Sequence, residues 1–128
     1  MAGKTDLGAD FGDYTNTRIR LSTTNTTSIY KVIANKSYRQ VWEGSTKKAE
    51  NTYVYTTQFN CTYNAYVFDI NGNPYATQKF IGRCYGLTIK DKCNMVPCVR
   101  KSDNVVGMYD TIQGIFRTNQ GTGSFTYG

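Results

Sequence analysis

Apolar and polar positions alternate along much of the chain, and the alternation is that of strands. Thr17-Arg18-Ile19-Arg20-Leu21-Ser22 switches residue by residue, a period of two that sends successive side chains to opposite faces of an extended segment. Thr23 to Thr27 is polar and reads as a turn around Asn25. Ile29 to Ala34 reads as a second strand, Asn35-Lys36-Ser37 as a short turn, and Tyr38 to Glu43 as a third strand, with a polar loop from Gly44 to Lys48. Residues 1–16 are rich in Gly and Asp, lack any period, and read as an extended arm.

The longest β-like stretch runs from Asn51 to Ile70. Tyr53, Tyr55, Thr57 and Phe59 fall on one face of it, and Thr56, Gln58, Asn60, Thr62 and Asn64 on the other. The apolar set then becomes even-numbered at Tyr66, Phe68 and Ile70. A period-2 pattern changes phase only through an added residue or a break, so a bulge or turn is expected near Cys61 to Asn64. Asn71-Gly72 supplies the positive φ of a tight hairpin, with Tyr75 to Phe80 returning as its partner. Arg83 to Lys90 reads as another strand and Asp91 to Cys98 as a loop, which closes a β-sheet region spanning 17–90.

After that the period changes. Val105, Tyr109, Ile112 and Phe116 are spaced four, three and four apart, and Val106, Met108 and Ile115 widen the stripe. This spacing predicts an amphipathic helix over 103–117, of about four turns, with Ser102 or Asp103 as its cap. Gly107 and Gly114 each weaken such a helix by about 1 kcal/mol, so its stripe must be buried to persist. Two further strands over the same residues are the competing reading. Residues 118–128 read as an extended tail. The expected architecture is α+β and mainly β: a single domain over 1–128 with an antiparallel meander sheet, an N-terminal hairpin and a C-terminal amphipathic helix.

Composition supports the strands. The 128 residues include 11 Tyr, 12 Gly, 2 Pro and no His, and Tyr and Thr suit a pleated surface with one wet face. Without His, the commonest general base, the Ser-His and Cys-His pairs and imidazole metal ligands are all missing. The carboxylates are scattered, the only glutamates being Glu43 and Glu50. A chain that binds or assembles is expected, not an enzyme. Four cysteines, Cys61, Cys84, Cys93 and Cys98, lack the paired close spacing of a zinc knuckle. They are expected as thiols, with Cys93 and Cys98 candidates for a loop disulfide or inter-subunit thiols, and no metal or other cofactor is expected. Asn25-Thr26-Thr27, Asn35-Lys36-Ser37 and Asn60-Cys61-Thr62 match the glycosylation pattern, which an Asn- and Thr-rich chain generates by chance.

The formal net charge is +6, which favours an anionic partner. The start, Met1-Ala2-Gly3-Lys4-Thr5-Asp6-Leu7-Gly8, has no apolar core of a secretory signal, and no apolar run approaches membrane-spanning length. No membrane partner is expected. Thr56, Gln58, Asn60 and Thr62 on one polar face, with Lys79, Arg83 and Tyr85, form the candidate RNA-binding set: Lys and Arg hold phosphates, and Tyr stacks on a base of single-stranded RNA.

Arg18-Ile19-Arg20-Leu21-Ser22-Thr23-Thr24, Arg83-Cys84-Tyr85-Gly86-Leu87-Thr88-Ile89 and Tyr109-Asp110-Thr111-Ile112-Gln113-Gly114-Ile115-Phe116 occur in an order that resembles the coat proteins of single-stranded RNA bacteriophages. The first resembles their N-terminal hairpin, the second their last strand, where a tyrosine can stack on RNA, and the third their C-terminal helix. That resemblance implies an intertwined homodimer, higher assembly into a capsid around genomic RNA, and a virion location after synthesis in the host cytoplasm. Two other classes fit the composition: an extracellular fibre or appendage subunit with a β-sandwich fold, and a small lectin-like domain using Tyr and Trp42 against sugars.

Overall fold

A computed structural model describes residues 5–9, 15–25, 27–57, 82–120 and 124–127. The chain divides into two compact units, Met1–Asn64 and Ala65–Gly128. Among the described residues every regular element is a strand, and all pairings are antiparallel.

In the first unit β1 (Thr5–Ala9) pairs with β2 (Ile19–Thr23), so part of the expected arm is a strand. β3 (Tyr30–Ala34), β4 (Arg39–Glu43) and β5 (Thr46–Asn51) form a second sheet in that order. The turn between β3 and β4 is built by Asn35, whose Oδ1 accepts from the backbone N–H groups of Ser37 (2.8 Å) and Tyr38 (3.0 Å), a side chain standing in for a backbone turn. Gly44-Ser45 joins β4 to β5, so the expected polar loop is a two-residue turn and the start of a strand. Register shifts between Val41 and Trp42: Val41 opposes Ala49, whereas Trp42 opposes Lys47. The extra residue lets Lys48 reach Glu43 at 3.1 Å while Lys47 reaches Glu50 at 2.6 Å. The two sheets touch through β2 against β4 and β5 and through β1 against β3 and β4, and Ile19, Val41, Thr17 and Arg39 are buried.

The second unit is a four-stranded meander, β6 (Leu87–Ile89), β7 (Cys93–Arg100), β8 (Val105–Asp110) and β9 (Ile115–Arg117). In an antiparallel ladder each residue directs its N–H and C=O to one neighbour, and the direction alternates along the strand. Thr111 N–H donates to Asn94 O and Asn104 N–H to Arg100 O, so even-numbered residues of β7 address β8. Odd-numbered residues address β6, and Lys92 N–H donating to Ile89 O fixes the same parity on that strand. Pro97 therefore has its missing N–H on the β6 side and takes nothing from the β8 ladder. The β6–β7 ladder ends at Leu87↔Met95. The next hydrogen-bonded pair in that register is Tyr85 with Pro97, which has no donor.

The predicted α+β fold with a C-terminal helix over 103–117 is corrected by this unit: the segment carries no helix to lay across a partner subunit. The segment is the β8–β9 hairpin. Its spacing is degenerate between the two structures. Val105 and Tyr109 share a strand face as well as a helix face, and Tyr109 is the cross-strand partner of Phe116. The four-residue loop between them adds to the likeness. Asp110 Oδ1 accepts from Ile112 N–H (3.0 Å) and Gln113 N–H (3.3 Å), and Gly114 N–H donates to Asp110 O (2.8 Å). That is one helical turn, stopped at Gly114 with φ 70°, where a side chain would be strained. The β7–β8 loop has the same plan, with Asn104 at φ 57° in the corresponding place. The expected loop over Asp91 to Cys98 is a turn followed by most of β7.

Candidate functional site

Of the residues expected to meet RNA, Gln58, Asn60, Thr62 and Lys79 lie outside the described residues, as do the expected bulge near Cys61 to Asn64 and the Asn71-Gly72 hairpin. Thr56 is exposed in the first unit, in a non-strand stretch beyond β5. Arg83 and Tyr85 are exposed in the second, on the approach to β6. Tyr85 is 62% exposed, enough to offer a ring face to a stacking partner. Among the described residues Arg20, Lys31, Lys36, Arg83, Lys90 and Lys92 are exposed cations without an ion pair.

Cys93 and Cys98 are both free thiols. They stand five residues apart on one strand, roughly 16 Å, whereas Cα atoms more than about 7 Å apart are not bridged. Trp42 is half-buried, and its indole N–H donates to Gln40 Oε1 (3.0 Å). No group of three or more His, Cys, Asp or Glu among the described residues could hold a metal ion.

Four carboxylates among the described residues, Glu43, Glu50, Asp103 and Asp110, take part in interactions within the fold. Glu43 is held below its ordinary value of 4.5 by the Ser28 hydroxyl first and Lys48 next, and Glu50 by Lys47 and then Gln40. Asp103 is lowered chiefly by Arg100, whose guanidinium forks onto both its oxygens and also lies 4.7 Å over the Phe116 ring. Burial pushes the Asp110 carboxyl up, but backbone N–H groups of Asn94, Gln113 and Ile112, with Arg117, outweigh it and hold it below 3.8. The sign is the same in all four. The unfolded chain takes up protons at the ordinary values and the folded chain only at lower pH. The stability they contribute is complete above the ordinary values and is lost as pH falls through the depressed ones. Three of the four are exposed pairs, which contribute little, so Asp110 dominates. The urea midpoint is expected to be flat near neutrality and to drop as pH falls through and below 3.8, the ordinary value of Asp110. Asp110→Asn should be less stable at neutral pH and show a shallower acid slope; an unchanged slope would rule Asp110 out.

The strongest surface feature is apolar. Register places Val96, Cys98, Gly107, Tyr109 and Phe116 on one face of the β6–β9 sheet, and Ile89, Val99, Met108 and Ile115 on the other. Val96 and Tyr109 on the first face, and Ile89, Val99 and Ile115 on the second, are between 40% and 46% exposed. Sequence reasoning missed this sheet because Pro97 interrupts β7. The available signal was the run Met95-Val96-Pro97-Cys98-Val99, bounded by turn residues and mirrored by Val105 to Tyr109.

No protein-family model matches the chain, and neither the curated proteins nor the solved structures offer a match.

Proposed function

We propose that this protein is a structural, self-assembling subunit, in which copies of the chain cover the apolar faces of the β6–β9 sheet. The observation that carries the reading is the large, part-exposed side chains on both sides of that sheet. A soluble monomer ordinarily scatters such groups or turns them inward, and a sheet apolar on both faces marks an interaction surface. One covered face would leave the other to continue the assembly, so two faces suit a repeating structure better than a closed pair.

The finer form of the proposal is a coat subunit of a virion with single-stranded RNA as its anionic partner. The net charge of +6 and the unpaired exposed cations support it, as does Tyr85 beside Arg83. The alternative is an extracellular fibre subunit. Phe125 and Tyr127 favour it, being exposed in a stretch without regular structure, a kind of segment that strand addition onto a neighbour could order.

Electron microscopy and light scattering of the purified full chain test both. Shells with a nucleic-acid absorbance component are expected, and filaments would move the reading to the fibre. A monomer that stays monodisperse at high concentration and free of nucleic acid overturns the proposal. The double change Val99→Lys and Ile115→Lys, checked by circular dichroism for retained strand content, should abolish assembly.

A further inference from the structure

We infer that Cys84 and Cys98 form a cross-strand disulfide when the protein meets a low-molecular-weight disulfide oxidant, extending the β6 line along β7. The register carries this. Leu87 opposes Met95 and Ile89 opposes Cys93, so each step back from Leu87 is a step forward from Met95. Gly86 comes opposite Val96, Tyr85 opposite Pro97, and Cys84 opposite Cys98. The chain still lies beside β7 at the first of these steps, because a Cβ on Gly86 would sit 3.3 Å from Met95 O.

Three further features suit a bridge at this pair. Cys84 and Cys98 share the face that also bears Thr88 and Asn94, an opposed pair in the same register. The backbone parity makes them a non-hydrogen-bonded pair, the class in which opposed residues approach most closely. Both are half-buried free thiols, and the Cys84 thiol rests on nothing stronger than a 3.8 Å contact to Gly86 O. Cys93 is buried on the opposite face and competes for neither. The β6–β7 ladder ends at Leu87↔Met95, and Pro97 has no N–H to give to Tyr85, so a covalent bond at this pair would add a tie between residues 82–86 and β7 beyond the end of the ladder.

The chemistry is thiol–disulfide exchange. One protein thiolate attacks the small disulfide, forming a mixed disulfide and expelling one small thiolate. The second protein thiolate attacks the mixed disulfide at its protein sulfur, closes the protein S–S bond and expels the other. The protein loses two electrons and two protons, and the oxidant is reduced to two thiols.

The test uses the full chain treated with oxidised glutathione, alkylated without reduction and digested with trypsin. The expected product is peptide 84–90 linked to peptide 93–100, two hydrogens lighter than the separate peptides. In Cys93→Ser the second peptide contains only Cys98, so a linked pair at the correspondingly shifted mass assigns the bond. Where that variant fails to fold, fragmentation of the linked wild-type pair assigns it instead. The oxidised protein should also resist cleavage at Arg83 and Tyr85 severalfold longer than the reduced one, and lose that protection on reduction. Alkylation of both Cys84 and Cys98 after oxidation overturns the inference, as does linkage of either to Cys61, to Cys93 or to a second copy.

Discussion

Gly107→Ala is expected to destabilise the β6–β9 sheet by more than the roughly 1–3 kcal/mol of ordinary overpacking. A Cβ at this position would sit 2.5 Å from Arg117 O and 2.6 Å from the Phe116 ring edge. The first contact is with backbone in the β8–β9 ladder, which moves only by breaking the pairing of Met108 with Arg117. The second is with a ring that covers the glycine and is itself held beneath the Arg100 guanidinium. A methyl group there has no soft neighbour. Urea denaturation of the variant should show a lowered midpoint at unchanged slope. Adding Phe116→Ala should relieve none of the backbone clash and so fail to restore the parent value. A midpoint equal to the parent's would mean that β8 and β9 separate enough at Gly107 to admit a methyl group.

Arg39→Ala is expected to cost the first unit about 2–5 kcal/mol, as a large side chain removed from a core. Arg39 is fully buried. Its Nη2 donates to Asn51 Oδ1 at 2.7 Å and its Nη1 to Asn35 O at 3.3 Å, while Asn51 Nδ2 donates to Asn16 O and Arg18 O. One guanidinium thus joins the β3–β4 turn to the end of β5, and through Asn51 to the segment entering β2. Truncation leaves a cavity and acceptors stripped of their donors, and each loss adds to the cost. Arg39 Nε has no partner, so part of what the arginine contributes is packing alone. Arg39→Met, which fills the stem volume without a buried charge, should therefore lose clearly less than the alanine variant. Equal losses for the two would show that the hydrogen bonds, and not the volume, hold this corner.

How much of this was legible from the residues depends on where the partner of each strand lies. β2, β3 and β4 follow from alternation and from Asn35, because the signals are local. β1 is not legible: Thr5-Asp6-Leu7-Gly8-Ala9 has no alternation of its own and is ordered by pairing with Ile19–Thr23, a contact that no local pattern encodes. The segment 103–117 reads as a helix for a geometric reason. A hairpin with a four-residue loop and a helix place Val105, Tyr109 and Phe116 on one side alike, and Asp110 caps a single helical turn at the tip. Two β-branched residues followed by Gly107 in the first half were the local sign against a helix. Of the proposed nucleic-acid set, the sequence identified residue types with suitable chemistry. The two-sided apolar sheet was signalled only by the runs Met95 to Val99 and Val105 to Tyr109, and using that signal depends on reading β7 through its proline.

The loops of the β6–β9 meander have a kinetic consequence. Three residues separate β6 from β7, and four separate each later pair, so every pairing in this sheet joins segments adjacent along the chain. Closing loops so short takes little chain entropy, and ladders built from near neighbours form faster than those joining distant ones. The β1–β2 pairing must close a longer excursion, from Ala9 to Ile19. In a refolding experiment, amide protons of β7 and β8 should gain protection before those of β1 and β2. A refolding chain would then carry the part-exposed apolar side chains of its β6–β9 sheet before the β1–β2 pairing has closed.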